Sequence, residues 1–355
     1  YKNSLSVMLG VKTKLTQKIY STASAHPQRV VFAEAIHPTM LRAAVQAKAE
    51  GICYPILLGN EERINKMAGE LDLSLEGIEV INLRNDKEAE RRERYAKILT
   101  EKLQRDGYTF EEANDKMFER NYFGMMMVET GEADAFITGL YTKYSNTTKV
   151  AKEVIGIRPE YKHFGTMHII NSPKGTLYLA DTLINSDPDT QELVDMARLS
   201  CTAVSFFNEK PVIALVSHSN FGSDSSDGSR KVRNAVAQLH KENPEMAVDG
   251  ELQIGFALDR EQRDTLFPFT RLKDKDVNTL VFPNLTSARS SYKMLQMLAP
   301  DVEIIGPIQM GLKKPIHFTD FASSVRDVVN ITAVAVIDAY VYKIKKEINK
   351  CCTTT

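Results

Sequence analysis

Neither a C-x-x-C spacing nor an H-E-x-x-H nor any cluster of histidine with cysteine occurs in this chain of 355 residues. A structural metal is therefore not expected. Cysteine is scarce: Cys53, Cys201 and the adjacent Cys351 and Cys352. Neighbours at a carboxyl end make a poor structural pair, and the set fits a reducing cytoplasm. No apolar run approaches the roughly 20 residues that a membrane span needs, and the first twenty residues lack the apolar core of a secretory signal. A net charge of −1 offers no excess of one sign, so neither nucleic acid nor an acidic membrane is an expected partner. Internal repeats, low-complexity linkers and a G-x-G-x-x-G fingerprint are also missing. What remains is an ordinary soluble composition, 43% apolar and 26% charged, at a length that suggests two domains. Tyr1 standing where a Met would begin a product points to a chain taken from within a longer one.

Short apolar runs alternate with helical patterns from residue 30 onward. Strands are predicted at 30–33, 54–58, 78–83 and 133–138, with helices at 39–50, 61–71, 86–105 and 146–154 between and after them. Thr109 followed by Glu112 reads as a capping box, and the three methionines in 123–130 read as helical core filler. Such alternation implies a parallel sheet covered on both faces. Near residue 158 the rhythm changes to a hairpin, 164–171 and 176–180 around a Ser-Pro-Lys-Gly turn. A helix at 190–207, strands at 249–256, 279–282, 302–305 and 315–318, and helices at 260–266 and 287–298 follow. The helix predicted at 323–350 is apolar nearly all round, so it should be buried against the first sheet. Residues 1–29 read as a lead-in with one or two short helices, and 353–355 as a frayed tail.

The stretch around which the rest is organised is 211–233. A buried strand at 212–216 runs into Ser217-His218-Ser219-Asn220-Phe221-Gly222-Ser223, and a helix from about residue 227 to 243 follows. A strand, a polar loop and a helix start can aim backbone N–H groups at an anion. A phosphate-bearing ligand is one reading; an ordinary βα connection is the other. His218 between serines invites comparison with a hydrolase triad, but no acidic orienter is identifiable. Arg230, Lys231 and Arg233 on the helix could meet phosphates or simply form a solvated face.

Several motifs stand in order: GEADAFITG (131–139), LADTLINSDPD (179–189), ALVSHSNFGS (214–223), DGELQ (249–253), FPNL and SYK (282–285, 291–293), GPIQMGLKKPIH (306–317) and SVRDVVNITAVAVIDA (324–339). Together they resemble the phosphate acetyltransferase family, and most of all the phosphotransacetylase-like C-terminal domain of NADP-dependent malic enzymes. The resemblance implies two three-layer α/β domains with mostly parallel sheets and an interdomain cleft. The second domain (159–309) would be inserted in the first (1–158 plus 310–355), an isocitrate-dehydrogenase-like architecture, with dimerisation through the insert. It also implies coenzyme A or acetyl-CoA and phosphate as ligands, with no further cofactor.

In such transacetylases an aspartate takes the proton of the CoA thiol, while a Ser-Arg pair and other arginines hold the phosphate. A thiol near pKa ~8.5 needs a base in reach, and a doubly charged acyl phosphate needs guanidinium forks. The base aligns with Asp327. The Ser-Arg pair falls at Asp320 and Phe321, a loop lysine at Phe221, and a helix arginine at Lys149. A glycine-rich segment becomes Ala288-Arg289-Ser290-Ser291, which adds a cation at Arg289. Ser217, Ser219, Asn220, Gly222 and Ser223 keep donors for a phosphate; Gly306, Pro307 and Gly311 would shape the cleft wall. The expectation is a domain that binds acetyl-CoA for regulation and oligomerisation beside an upstream malic enzyme domain, with weak or no transfer. An active phosphate acetyltransferase and a purely structural dimerisation module are the alternatives.

Overall fold

Residues 14–141, 143–299 and 301–353 are described by the structure, a computed structural model. The chain forms two units, one discontinuous (Lys14–Gly156 with the chain from Leu312 onward) and one continuous, Ile157–Gly311.

In the discontinuous unit the helix α1 (Lys14–Ala25) precedes β1 (Gln28–Phe32), α2 (Pro38–Ala49), β2 (Cys53–Leu58), α3 (Glu61–Glu70) and β3 (Glu79–Ile81). The long helix expected over 86–105 is divided: 3-10 turns at Asp86–Glu88 and Gln104–Asp106 flank α4 (Ala89–Leu103), and Gly107 closes it at φ 84°. Then come α5 (Phe110–Lys116), with the Thr109–Glu112 capping box formed, α6 (Arg120–Thr130), β4 (Ala135–Thr138) and α7 (Tyr144–Val154). Met125, Met126 and Met127 are buried, as core filler should be. Gly124 beside them admits the Phe136 ring, which a Cβ would meet at 2.4 Å, so α6 lies directly on β4.

The continuous unit begins with the hairpin β5 (Gly165–Ser172) and β6 (Gly175–Ala180), antiparallel with Ile169 opposite Tyr178. After α8 (Thr190–Phe206), β7 (Ile213–Val216) and α9 (Asp227–Glu242), the strand β8 (Val248–Leu252) stops short. The strand expected to reach Phe256 gives way to α10 (Ile254–Leu258), because Ile-Gly-Phe-Ala-Leu is a short apolar run that suits either state. There follow α11 (Arg260–Leu266), β9 (Thr279–Val281), α12 (Leu285–Leu298) and β10 (Glu303–Met310). β10 runs on through Gly306 and Pro307, where the strand expected at 302–305 was to end. It is an edge strand with a register shift between Ile305 and Ile308, the position a strand proline tolerates. Its sheet has the order β10-β5-β6-β9-β7-β8, and the last four strands are parallel.

Back in the first unit, β11 (Ile316–Phe318) joins β4, giving the order β11-β4-β1-β2-β3, parallel throughout. The closing helix α13 (Val325–Thr353) buries Val328, Val329, Ile331 and residues 333–336, and packs on α1, α2 and the strands. Asn330 on it accepts a hydrogen bond from the Tyr20 hydroxyl at 2.8 Å. Of the expected lead-in, residues 1–13 fall outside the described residues and the rest forms α1 and the start of β1; 354 and 355 of the expected tail also fall outside. Among the described residues no helix is long and apolar enough to cross a membrane. Each sheet reverses its strand order once, between β1 and β4 and between β7 and β9. Open α/β sheets place ligands outside the carboxyl ends of strands at such reversals.

Candidate functional site

The loop after β7 is the first place to look, because five predicted residues lie in it. Several of its donors are engaged within the chain. The Ser219 hydroxyl donates to Glu251 Oε1 at 3.0 Å and the Gly222 N–H to the same oxygen at 2.9 Å. The Phe221 N–H donates to the Glu251 carbonyl, and the Asn220 N–H to Ser223 Oγ, both at 2.9 Å. Ser217 Oγ lies within 3.3 Å of both the Ser219 and Ser229 hydroxyls. Glu251, on β8, is fully buried, with Arg233 Nε 3.4 Å from its other oxygen. The anion in this loop is thus the chain's own carboxylate. Of the residues expected to meet a phosphate, Ser219 and Gly222 give their hydroxyl and N–H to Glu251, Ser217 bonds within the loop, and Asn220 and Ser223 serve chiefly as acceptors or backbone donors of the turn. Arg233 serves Glu251, while Arg230 and Lys231 pair with Asp227 and Asp187.

His218 in the same loop does have an acidic neighbour. Asp224 Oδ2 lies 3.2 Å from its Nε2, which corrects the sequence reading. The Ser226 hydroxyl and N–H bonded to Asp224 hold its carboxyl down at about 2. The serine hydroxyls beside His218 bond each other, Ser229 and Glu251, and among the described residues no nucleophile–histidine bond completes a triad.

A second constellation sits at the carboxyl edge of the five-stranded sheet, where the order reverses between β1 and β4. Glu34, just after β1, is fully buried and fills the turn after β4. Its Oε2 accepts from the Gly139 N–H at 2.9 Å and the Leu140 N–H at 2.6 Å, and its Oε1 from the Tyr141 N–H at 3.0 Å. Gly139 abuts the strand-end Thr319, whose carbonyl a Cβ there would meet at 2.4 Å. Immediately beyond Thr319 come Asp320 and Phe321. Asp320 shapes a turn: its N–H donates to Ser323 Oγ at 3.1 Å and its Oδ1 accepts from the Ala322 N–H at 3.4 Å. Phe321 is 77% exposed.

Asp327 lies in the first turn of α13, where a carboxylate suits the helix dipole. Its Oδ2 accepts from both the Ser324 N–H and the Ser324 hydroxyl at 2.8 Å, and the Asp327 N–H donates back to Ser324 Oγ at 3.2 Å. That is a capping box closed by aspartate. Oδ1 makes no hydrogen bond among the described residues, which leaves it able to accept a proton. Lys149 on α7 lies 3.7 Å from Glu153 and lines a shallow depression of about 400 Å³ with Ser145, Thr148 and Lys152. No hydrogen bond or ion pair joins it to Asp327 among the described residues.

The remaining predicted positions have packing reasons of their own. Gly306 lies against the His168 ring, which a Cβ would meet at 2.6 Å, and Gly311 lies against Leu199 and Phe164. Pro307 continues β10. His168 is buried, stacks on Tyr292 with centroids 4.2 Å apart, and pairs its Nδ1 with Thr182 Oγ1 at 2.8 Å. Burial, reinforced by Lys293 and Arg289, pushes it down to about 3, so Arg289 acts here as a cation near a neutral histidine. His317 on β11 is buried 3.4 Å from Asp338. Sequence reasoning passed over Glu34, Glu251 and Asp224. A charged residue set inside or at the end of an apolar strand is the signal that marks the first two.

Among the described residues no group of three His, Cys, Asp or Glu side chains is placed to hold a metal ion. Comparison with known proteins gives a consistent picture. The sequence profile described as phosphate acetyl/butaryl transferase matches residues 14–336. The NADP-dependent malic enzyme of Escherichia coli (strain K12) is 34% identical over 337 residues, 92% of this chain but 43% of that protein. The phosphate acetyltransferase of Clostridium acetobutylicum is 30% identical over 332 residues, 92% of this chain and 98% of that protein. A solved phosphotransacetylase from Streptococcus pyogenes matches with a TM-score of 0.82 and 29% identity, over 92% of this chain and 98% of the other. The chain therefore has the phosphotransacetylase fold, and spans less than half the length of the malic enzymes it matches.

Proposed function

The chain belongs to the phosphate acetyl/butaryl transferase family, and from that premise we propose that it binds coenzyme A, its acetyl thioester and phosphate, and transfers acetyl between them slowly. Relatives matched over nearly their whole length are phosphate acetyltransferases, which supports the reaction class. Asp327 would take the proton of the attacking thiol through Oδ1, since a thiol near ~8.5 is mostly protonated at neutral pH.

Slow transfer follows from the pair Asp320 and Phe321, shortly ahead of Asp327 in the chain. In the family pattern these positions hold a serine and an arginine. A carboxylate repels a phosphate, and a phenyl ring donates nothing to the charge that grows in the transition state. Losing one such contact costs ~3–4 kcal/mol, a factor of 10²–10³ in rate. Lys149, in the place of another arginine, keeps the charge without the planar fork.

The test is CoA-dependent consumption of acetyl phosphate by the chain and by Asp327→Asn. Turnover should lie about 10²–10³ below the ~10 s⁻¹ of a typical enzyme and vanish in the variant. Turnover near ~10 s⁻¹ that ignores Asp327→Asn would defeat the proposal.

A second reading, an acetyl-CoA-sensing and oligomerising domain of an NADP-dependent malic enzyme, is favoured by the 34% identity to the E. coli enzyme. It predicts calorimetric binding of acetyl-CoA with no turnover at all. Association between copies is supported by Met294, Leu295, Met297 and Leu298, apolar side chains exposed together on α12.

A further inference from the structure

Phe221 is a non-glycine residue at φ 44°, a left-handed backbone that side chains adopt only where the surroundings impose it. Here Glu251 imposes it. The Glu251 carbonyl accepts from the Phe221 N–H, and its carboxylate from the next N–H, that of Gly222. The backbone of Glu251 and its fully buried carboxylate thus pin Phe221 and Gly222 in succession. Strain of this kind collects at ligand sites.

The ring so presented meets two others. Phe221 lies 5.1 Å from Phe267 and 4.9 Å from Phe269, at 58° and 71°, and Phe267 meets Phe256 edge-on at 5.4 Å. Phe256 and Phe267 carry the cluster into the core of the unit, whereas Phe269 is 68% exposed. Its loop is pinned nonetheless: the Thr270 hydroxyl and the Arg271 N–H both donate to Asp249 Oδ2 at 2.8 Å. A ring that is fixed, exposed and backed by other rings is a stacking surface. It touches the Phe221 ring of the loop after β7, and the exposed Arg271 and Lys273 follow it in the chain with positive charge.

We propose that Phe269, backed by Phe221, is the stacking platform for the adenine ring of the nucleotide half of coenzyme A. This rests on the reading of the chain as a CoA-binding protein and adds the residue that would grip the base. Purine faces stack on aromatic side chains irrespective of the other contacts a ligand makes, and the neighbouring cations suit the phosphates attached to that base.

Binding of three probes to the chain and to Phe269→Ala, by calorimetry, separates the possibilities: acetyl-CoA, adenosine 3′,5′-bisphosphate, and acetylpantetheine, which has no nucleotide. The variant should weaken the first two by roughly 5- to 150-fold, the range of base–aromatic stacking, and leave the third unchanged. Phe269→Tyr should restore them. If the parent chain binds the bisphosphate in a Phe269-dependent way but neither thioester, the platform stands and the acetyl-transfer reading falls. Equal weakening of all three probes, no weakening, no binding of the bisphosphate by the parent chain, or a shift in association state in place of a change in affinity would overturn the platform.

Discussion

Two glutamates outside the proposed chemistry decide how the loops at the sheet edges are built. Glu34 fills a concave array of three backbone N–H groups that would otherwise attract an anion from solution, and the Glu251 carboxylate takes the Gly222 N–H and the Ser219 hydroxyl. Removing Glu34 as Glu34→Ala leaves three buried or half-buried N–H groups without their acceptor. At ~1–3 kcal/mol for each orphaned group, and less than additively, a loss of about 2–4 kcal/mol is expected in urea unfolding. A loss below about 1 kcal/mol would mean that solvent replaces the carboxylate. His168 supplies a pH signature. Its folded value of about 3 lies below the ordinary 6.5, so the unfolded chain binds the extra proton between these limits. Its contribution is therefore fully present above pH ~6.5 and is lost as pH falls towards 3. His168→Gln should flatten the decline of stability between pH ~6.5 and ~4 in acid denaturation series; an unchanged slope would contradict a neutral buried imidazole.

The start of α13 is where structure and chemistry compete for one side chain. Ser324 and Asp327 bond reciprocally as a cap. Ser324→Ala should cost ~1 kcal/mol, a typical cap loss. Asp327→Asn should cost no more than that, while abolishing transfer if Oδ1 is the proton acceptor. A large drop in stability with activity intact would assign Asp327 to the cap alone. Most elements are legible in the sequence, because strands buried on both faces read as unbroken apolar runs and helix starts carry their caps: Thr109, Asp189 and Asn284 each bond as N-caps. The end of β8 at Leu252 is not, since Ile254–Leu258 fits strand and helix alike. Nor is the continuation of β10 through Pro307, which depends on its being an edge strand. The candidate site is half legible. Asp320, Phe321 and Asp327 fall together because they are close in sequence. The engagement of the β7 loop by Glu251 requires knowing that β7 pairs with β8, and no local pattern reveals that pairing.

At the scale of the whole molecule, the two units carry the family's fold; on the proposed reading, Asp320 and Phe321 stand where the phosphate would be held. Copies of the chain are expected to associate through the continuous unit, where Met297 and Leu298 are 79% and 75% exposed on a helix whose opposite side packs inward. Light scattering after gel filtration should show an oligomer that Leu298→Asp dissociates; a monomeric parent chain would rule that surface out.

What Asp320 and Phe321 do to acetyl transfer is the central question. Measuring CoA-dependent consumption of acetyl phosphate by the chain and by the double variant Asp320→Ser with Phe321→Arg addresses it in one comparison. The restored serine and guanidinium should raise turnover by about 10²–10³, matching the loss of a transition-state charge contact. Equal rates in the two proteins would show that the slow step lies elsewhere, and that these two positions are not where the phosphate is held.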